Sequence, residues 1–500
     1  MSVHWPLIRS LIARGRQTMV VDDSRSYKGI ELLVAALHVA SEIERRSETR
    51  QVGLLLPTSG AFPIAALATW MLGRVVVPLN YLLKADELRY IVDHCETDTI
   101  VTVQPMLDYL GYTPETTNLL RLEDVNFKSV PELRWPAMAD DQELALLLYT
   151  SGTTGLPKGV MLTHGNLCAN IQQGIRGMHI SARDVFMGVL PQFHSFGVTQ
   201  LTLTPLTVGG KVIYTARFNA KKILELIREH RATAFIGIPS MYNALAQSKS
   251  ATPEDLASIR LMVSGGEPLP DAVFEAFQDK FGKTICEGYG MTEMSPATHC
   301  ATLGSQKRHS VGRALPNVEH RVVDPDTERE LGTGEVGELR MKGPNLMRGY
   351  FKMPDETAAT MDERGYLRTG DIAKIDAEGF VSITGRLKEM IIVGGENVFP
   401  REVEEVLTKH DGVLAAGVTG MQDPMRGEVV VAFVEPSEGH IPCPDELKTW
   451  CRERLAGYKC PREVYVVEAL PRNPTGKIMR RELHTLLPEA TGTPDTAAAG

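Results

Sequence analysis

The chain has 500 residues, 53 Lys plus Arg against 62 Asp plus Glu, a formal net charge of −9, 43% hydrophobic and 23% charged residues. This is the balance of a globular chain of roughly two to four domains, and it excludes a mostly disordered protein or a coiled-coil rod. The mild acidity argues against a nucleic-acid partner, which calls for a basic footprint. Seven cysteines (Cys95, Cys168, Cys286, Cys300, Cys443, Cys451 and Cys460) contain no C-x-x-C pair. That fits a reducing compartment and argues against a disulfide scaffold or a structural zinc site. Residues 1–16 carry Arg9, Arg14 and Arg16 without a long apolar core, so no secretory signal is expected. Two charge-free stretches, 51–73 and 185–210, are broken by Pro57 and Gly60 and by Pro191, His194 and Pro205. Neither reads as a transmembrane span.

In chain order, residues 52–56 read as a buried strand, 62–72 as a helix, 75–77 as the next strand, 86–94 as a helix and 99–103 as a strand. The rhythm returns at 184–190, 212–215, 220–230, 234–238, 261–264 and 271–281. Strands alternating with helices predict an α/β fold with largely parallel sheets. From about 311 to 384 glycines and charges become dense, which predicts short antiparallel strands with tight turns. A smaller α/β texture follows at 402–409, 429–434, 445–455 and 464–467, the size of a small separate domain. Residues 488–500 are rich in Ala, Thr, Pro and Gly and are expected to be disordered.

The most informative run follows the apolar residues 144–148. Thr150, Ser151, Gly152, Thr153, Thr154, Gly155 and Lys158 gather four hydroxyls, glycines and one lysine. Glycine lets backbone N–H groups approach an anion, hydroxyls donate, and the lysine adds a point charge. The spacing departs from G-x-x-x-x-G-K-[ST]. The run resembles the phosphate-binding signature of the adenylate-forming acyl-CoA synthetase (AMP-binding) superfamily. Further signatures follow in family order, from about residue 52 to 483. Phe193 and His194, within Leu-Pro-Gln-Phe-His-Ser-Phe-Gly, resemble the motif near the acyl group. Gly265, Gly266 and Glu267 resemble the adenine-side loop. In the run Glu287, Gly288, Tyr289, Gly290, Met291, Thr292 and Glu293, an aromatic between glycines is a stacking platform for a purine. By the resemblance, Thr292 meets a phosphate and Glu293 is the Mg²⁺ ligand, a hard oxygen donor. Asp371 resembles the family's ribose-binding carboxylate, and Arg386 a second ribose contact. Lys388 is the implied hinge, Gly394, Gly395 and Glu396 the implied CoA (pantetheine) channel, and Lys477 the implied catalytic lysine.

The resemblance implies a large N-terminal domain (1–385) of parallel α/β sheets with a small β-barrel-like subdomain. A hinge (386–390) and a small mobile α+β C-terminal domain (391–487) follow. It also implies a two-step reaction. A carboxylate attacks the α-phosphate of ATP, pyrophosphate leaves, and the acyl-adenylate is then taken by a thiol. Lys477, Glu293, Thr292 and His194 are the implied catalytic residues. Few polar groups and no charge fall in 193–194, 237–242 and 288–290, which argues against an amino-acid substrate. Small residues such as Gly237 and Gly290 are expected to leave room for a chain, and the motif wording resembles medium- and long-chain fatty acid ligases. A fatty acid, ATP, Mg²⁺ and CoA are therefore the expected ligands. Transfer to the phosphopantetheine of an acyl carrier protein is a second reading within the superfamily. A non-catalytic acyl-nucleotide binding protein is a third, disfavoured by the retention of Lys158, Glu293 and Lys477. A cytoplasmic enzyme is expected. Peripheral membrane contact through residues 5–16, a homodimer, the chain length and the acceptor are left open.

Overall fold

The computed structural model describes residues 2–150, 156–302, 304–423, 427–437, 439–472 and 478–487. The expected phosphate contacts at 151–155, the expected catalytic Lys477 and the expected disordered tail lie outside the described residues. The chain divides into two compact units, residues 1–269 with 273–383, and residues 384–500 with 270–272.

The first unit holds two large sheets. In the nine-stranded sheet, Cys286–Gly290, Leu261–Ser264, Ala234–Gly237, Val185–Gly188, Lys211–Tyr214 and Thr18–Val21 lie side by side and parallel. Short antiparallel strands close its edges. The seven-stranded sheet runs Gly349–Tyr350, Lys158–Thr163, Leu144–Thr150, Val75–Pro78, Gln51–Leu55, Thr99–Thr102 and Asn118–Arg121. Every residue of Val75–Pro78, Ala234–Gly237 and Leu261–Ser264 is buried. Strands covered on both faces need continuous apolar runs, which is why the sequence shows them without alternation.

Both charge-free stretches are core. Ala61–Met71 is a helix buried on all sides, and the Trp70 indole N–H donates to Ala145 O at 2.8 Å. In the second stretch, a wide i→i+5 helical segment, Phe196–Leu203, runs into the helix Thr204–Val208. Two of its polar pairs lie inside: Gln192 donates to Thr202 at 3.1 Å and Gln200 to Asn170 at 2.8 Å. The expected antiparallel region is a four-stranded sheet in the order Glu319–Val323, Gly337–Lys342, Leu367–Ile375, Val381–Arg386.

In the second unit, Gly427–Pro436 pairs antiparallel with Val413–Asp423 and Ile391–Val393 and parallel with Glu463–Val466. Helices Pro400–Leu407 and Pro444–Arg452 contribute Val403, Leu407, Leu447 and Cys451 to its core. All seven cysteines are free thiols. Among the described residues no helix is long and apolar enough to cross a membrane.

Candidate active site

The first unit gathers its predicted residues at the carboxyl ends of parallel strands, where open α/β sheets bind ligands. Gly237 pairs with Ser264, and Ser264 with Glu287, so two strands end in register and the third runs on past them to Gly290. Gly265 follows at once and its N–H donates to Gly237 O at 3.1 Å. Gly266 has φ +81°, a backbone conformation that only glycine adopts without strain. Glu267 is half-buried beside it. Glu287 is buried and accepts from Arg308 at 2.7 Å, an ion pair that the motif gives no hint of. Gly288, Tyr289 and Gly290 complete the strand, and the Tyr289 hydroxyl donates to Asp371 Oδ2 at 2.5 Å. Tyrosine and carboxylate, far apart in sequence, thus share one spot.

Asp371 itself is buried and its backbone is held from behind. Its N–H donates to Thr369 Oγ1 at 3.0 Å, and the Gly370 N–H donates to Glu338 Oε1 at 3.1 Å. Glu338 in turn accepts from the fully buried Arg340 at 2.9 Å.

The phosphate signature is bracketed by two antiparallel strands, with Thr150 opposite Lys158. The Lys158 ammonium pairs with Glu356 and lies 5.3 Å from the centroid of the Tyr350 ring. The Tyr350 hydroxyl donates to Glu293 Oε1 at 2.9 Å. Burial, followed by the neighbouring Glu293 carboxylate, pushes the Tyr350 pKa up, so the phenol stays a donor. Tyr350 therefore joins the lysine of one signature to the carboxylate of another. The sequence reading misses it, because the link exists only through the pairing of Tyr350 with Val160 across strands.

Next to Glu293, the buried Thr292 hydroxyl meets Ser195 Oγ at 3.2 Å, which brings the 193–195 motif to the same place. His194 is exposed, with desolvation by the atoms around its ring. That crowding lowers its pKa, so the ring is neutral at pH 7. Phe193 is buried and meets Tyr81 edge-on at 4.8 Å between centroids.

The packing around Gly237 and Gly290 is close. A Cβ on Gly290 would lie 2.1 Å from Pro296 O, so that glycine allows a backbone crossing. A Cβ on Gly237 would meet Phe235 at 3.1 Å and Met241 at 3.3 Å. Backbone fills that side of Gly290, while at Gly237 only side-chain ends approach it.

In the second unit, Arg386 and Lys388 are exposed, Lys388 within the short turn Leu387–Glu389. Gly394 and Gly395 form the two-residue turn of the hairpin Ile391–Val393/Glu396–Val398, with φ +60° and +90°. Such a turn requires two positive φ values, so the hairpin alone accounts for both glycines. Glu396 is exposed beside them.

Known proteins share this fold. Residues 12–351 match the family described as AMP-binding enzyme, and residues 402–477 the AMP-binding enzyme C-terminal domain. A long-chain-fatty-acid–CoA ligase of Bacillus subtilis (strain 168) is 32% identical over 497 residues, covering 91% of this chain and 89% of the relative. A feruloyl-CoA synthase of an Amycolatopsis species is 36% identical over 448 residues, covering 87% and 88%. The crystal structure of ATP-bound MatB from Rhodopseudomonas palustris superposes with a TM-score of 0.88 at 31% identity, covering 97% of this chain and 99% of that one. The chain belongs to the AMP-binding enzyme family and is an AMP-forming acid–thiol ligase of the acyl-CoA synthetase type.

Proposed function

We propose that the chain activates a fatty acid as its acyl-adenylate and transfers the acyl group to CoA. The observation that carries this reading is the contact between Thr292 and Ser195. It sets the Lys158–Tyr350–Glu293 cluster beside the uncharged Phe193–His194 segment, so an anion-binding end adjoins an apolar end. The charge-free core at 185–210 and the fatty acid ligase among the relatives support an apolar acid.

In the first step a carboxylate oxygen attacks the α-phosphorus, and the bond to the bridging pyrophosphate oxygen breaks. Two anions approach, so the chain's work is positioning and charge neutralisation rather than covalent chemistry. Lys477 would lie between carboxylate and α-phosphate. Thr150, Ser151, Gly152, Thr153, Thr154, Gly155 and Lys158 would hold the outer phosphates. Glu293 offers Mg²⁺ a hard oxygen donor, and Mg²⁺ characteristically takes one or two carboxylates and completes its shell with phosphate oxygens and water. Bound there, it would supply positive charge to the phosphates. Tyr289 would stack on adenine, flanked by Gly265, Gly266, Glu267, Glu287, Gly288 and Gly290. Asp371 and Arg386 would hold the ribose.

In the second step the thiol sulfur attacks the carbonyl carbon, the carbon–oxygen bond breaks, AMP leaves and the thiol proton passes to solvent. Gly394, Gly395 and Glu396 would line the pantetheine path after the small domain turns about Lys388. A hydroxycinnamic acid is the second reading, favoured by the feruloyl-CoA synthase relative. The test is AMP release from ATP and Mg²⁺ with acids from acetate to oleate plus ferulate and 4-coumarate. Each acid is run with CoA, with a phosphopantetheinylated carrier protein and with neither, and the products are weighed by mass spectrometry. Decanoyl- or oleoyl-CoA is expected. Feruloyl- or coumaroyl-CoA alone would replace the fatty acid, and transfer only to the carrier would replace CoA.

A further inference from the structure

Arg480 lies three residues beyond Lys477 and binds two carboxylates at once. Its Nη1 donates to Glu389 Oε2 at 2.5 Å, while Nε and Nη2 grip Glu404 in a bidentate pair at 2.8 and 2.7 Å. The guanidinium is mostly buried, its side chain 21% exposed. The two arms reach different elements. Glu404 sits on the helix Pro400–Leu407 and also accepts the Val418 N–H at 3.0 Å, so this arm fastens helix to sheet. Glu389 ends the short turn that begins at Leu387 and contains Lys388. The backbone on Arg480's own side is also tied down. Met479 N–H donates to Pro471 O at 2.8 Å, and Arg472 and Ile478 form an antiparallel bridge. One buried cation therefore joins the residue after Lys388, a core helix, and the chain leaving the Lys477 loop.

We propose that Arg480 sets the distal limit of the hinge. By holding Glu389 against the body of the small unit, it confines the backbone change between the two half-reactions to Lys388 and the residues before it. Arg480 is then a positioning residue, acting through Glu389 and touching no substrate. A bidentate guanidinium suits this task because its planar fork fixes orientation as well as distance, which a lysine ammonium does not. The proposal rests on the reading of Lys388 as the hinge.

The test uses the full chain with Glu389→Gln, Glu404→Gln and Arg480→Met. Three quantities are measured: the rate of trypsin cleavage after Lys388 without ligands, the melting temperature, and the ratio of the two half-reactions. The half-reactions are acyl-AMP formation without CoA and thioester formation from synthetic acyl-AMP, using the acid turned over fastest in the panel above. Glu389→Gln is expected to change the ratio about fivefold with an unchanged melting temperature. Arg480→Met is expected to raise cleavage after Lys388 about fivefold. Glu404→Gln is expected to lower the melting temperature and leave the ratio alone, as a purely structural arm does. An unchanged ratio in Glu389→Gln overturns the proposal, as does an unchanged cleavage rate in Arg480→Met. Lys388→Pro with both half-reactions intact would overturn the hinge reading itself, and the cleavage rate would still report on the clamp.

Discussion

Tyr350 occupies the point where two signature segments meet, with Lys158 over its ring and Glu293 on its hydroxyl. Tyr350→Phe keeps the ring and removes only the donor. A hydrogen bond to a charged acceptor contributes about 1.5–3 kcal/mol, so KM for ATP with Mg²⁺ should rise about tenfold or more with the fold intact. Steady-state kinetics at varied ATP checks this, and an unchanged KM would remove Tyr350 from the site. His164 is a second residue-scale case. Burial lowers its pKa from 6.5 to about 4, and its Nδ1 accepts the Val3 N–H at 3.2 Å. Between those values the unfolded chain binds more protons than the folded one, so stability falls as pH drops. Above 6.5 the group makes no difference. His164→Gln should therefore flatten the fall in melting temperature between pH 7 and pH 5, relieving about 2 kcal/mol. Equal slopes in the two proteins would contradict this. Candidate residues such as Glu293, Asp371 and Lys158 stand out in the sequence because glycines and hydroxyls mark their surroundings. Tyr350, Arg308 and Arg480 are not, since each acts through a partner brought near only by folding.

At the scale of elements, the strand–helix alternation is readable wherever strands are buried on both faces. The structure extends it to the N-terminus, where Thr18–Val21 and the long helix Gly29–Arg46 precede the first strand expected from sequence. The segment Phe196–Leu203 resists such reading because it is buried all round and shows no polar face. The antiparallel sheet is predicted as a texture, but its charged core is not. Arg340 is fully buried and bonded to Glu338 and Glu328, with Asp362 beside it. Removing one member of a buried ion network leaves unpaired charge, so Arg340→Ala should cost about 3–5 kcal/mol of stability. Calorimetry of the purified variant measures it. Loss below about 1 kcal/mol would mean the network is solvated in solution.

At the scale of the whole molecule, the chain divides into two compact units, and the proposed reaction has two half-reactions with different needs. In the proposed reaction one step would need Lys477 near two anions, and the other a path for a thiol. Lys388→Pro should spare acyl-AMP formation or thioester formation but not both, and equal loss of both in a folded protein would contradict alternation about that residue. The family is legible in the sequence because its signatures recur in order along the chain. The acid is not, because the segments expected to meet it, 193–194, 237–242 and 288–290, are uncharged and distant in sequence. The central claim is that the carboxylate itself attacks the α-phosphorus, and carboxylate labelled with ¹⁸O tests it most directly. Run with ATP and CoA and analysed by mass spectrometry, the reaction should place one labelled oxygen in AMP and none in pyrophosphate. Label appearing in inorganic phosphate, or unlabelled AMP alongside acyl-CoA, would contradict the account.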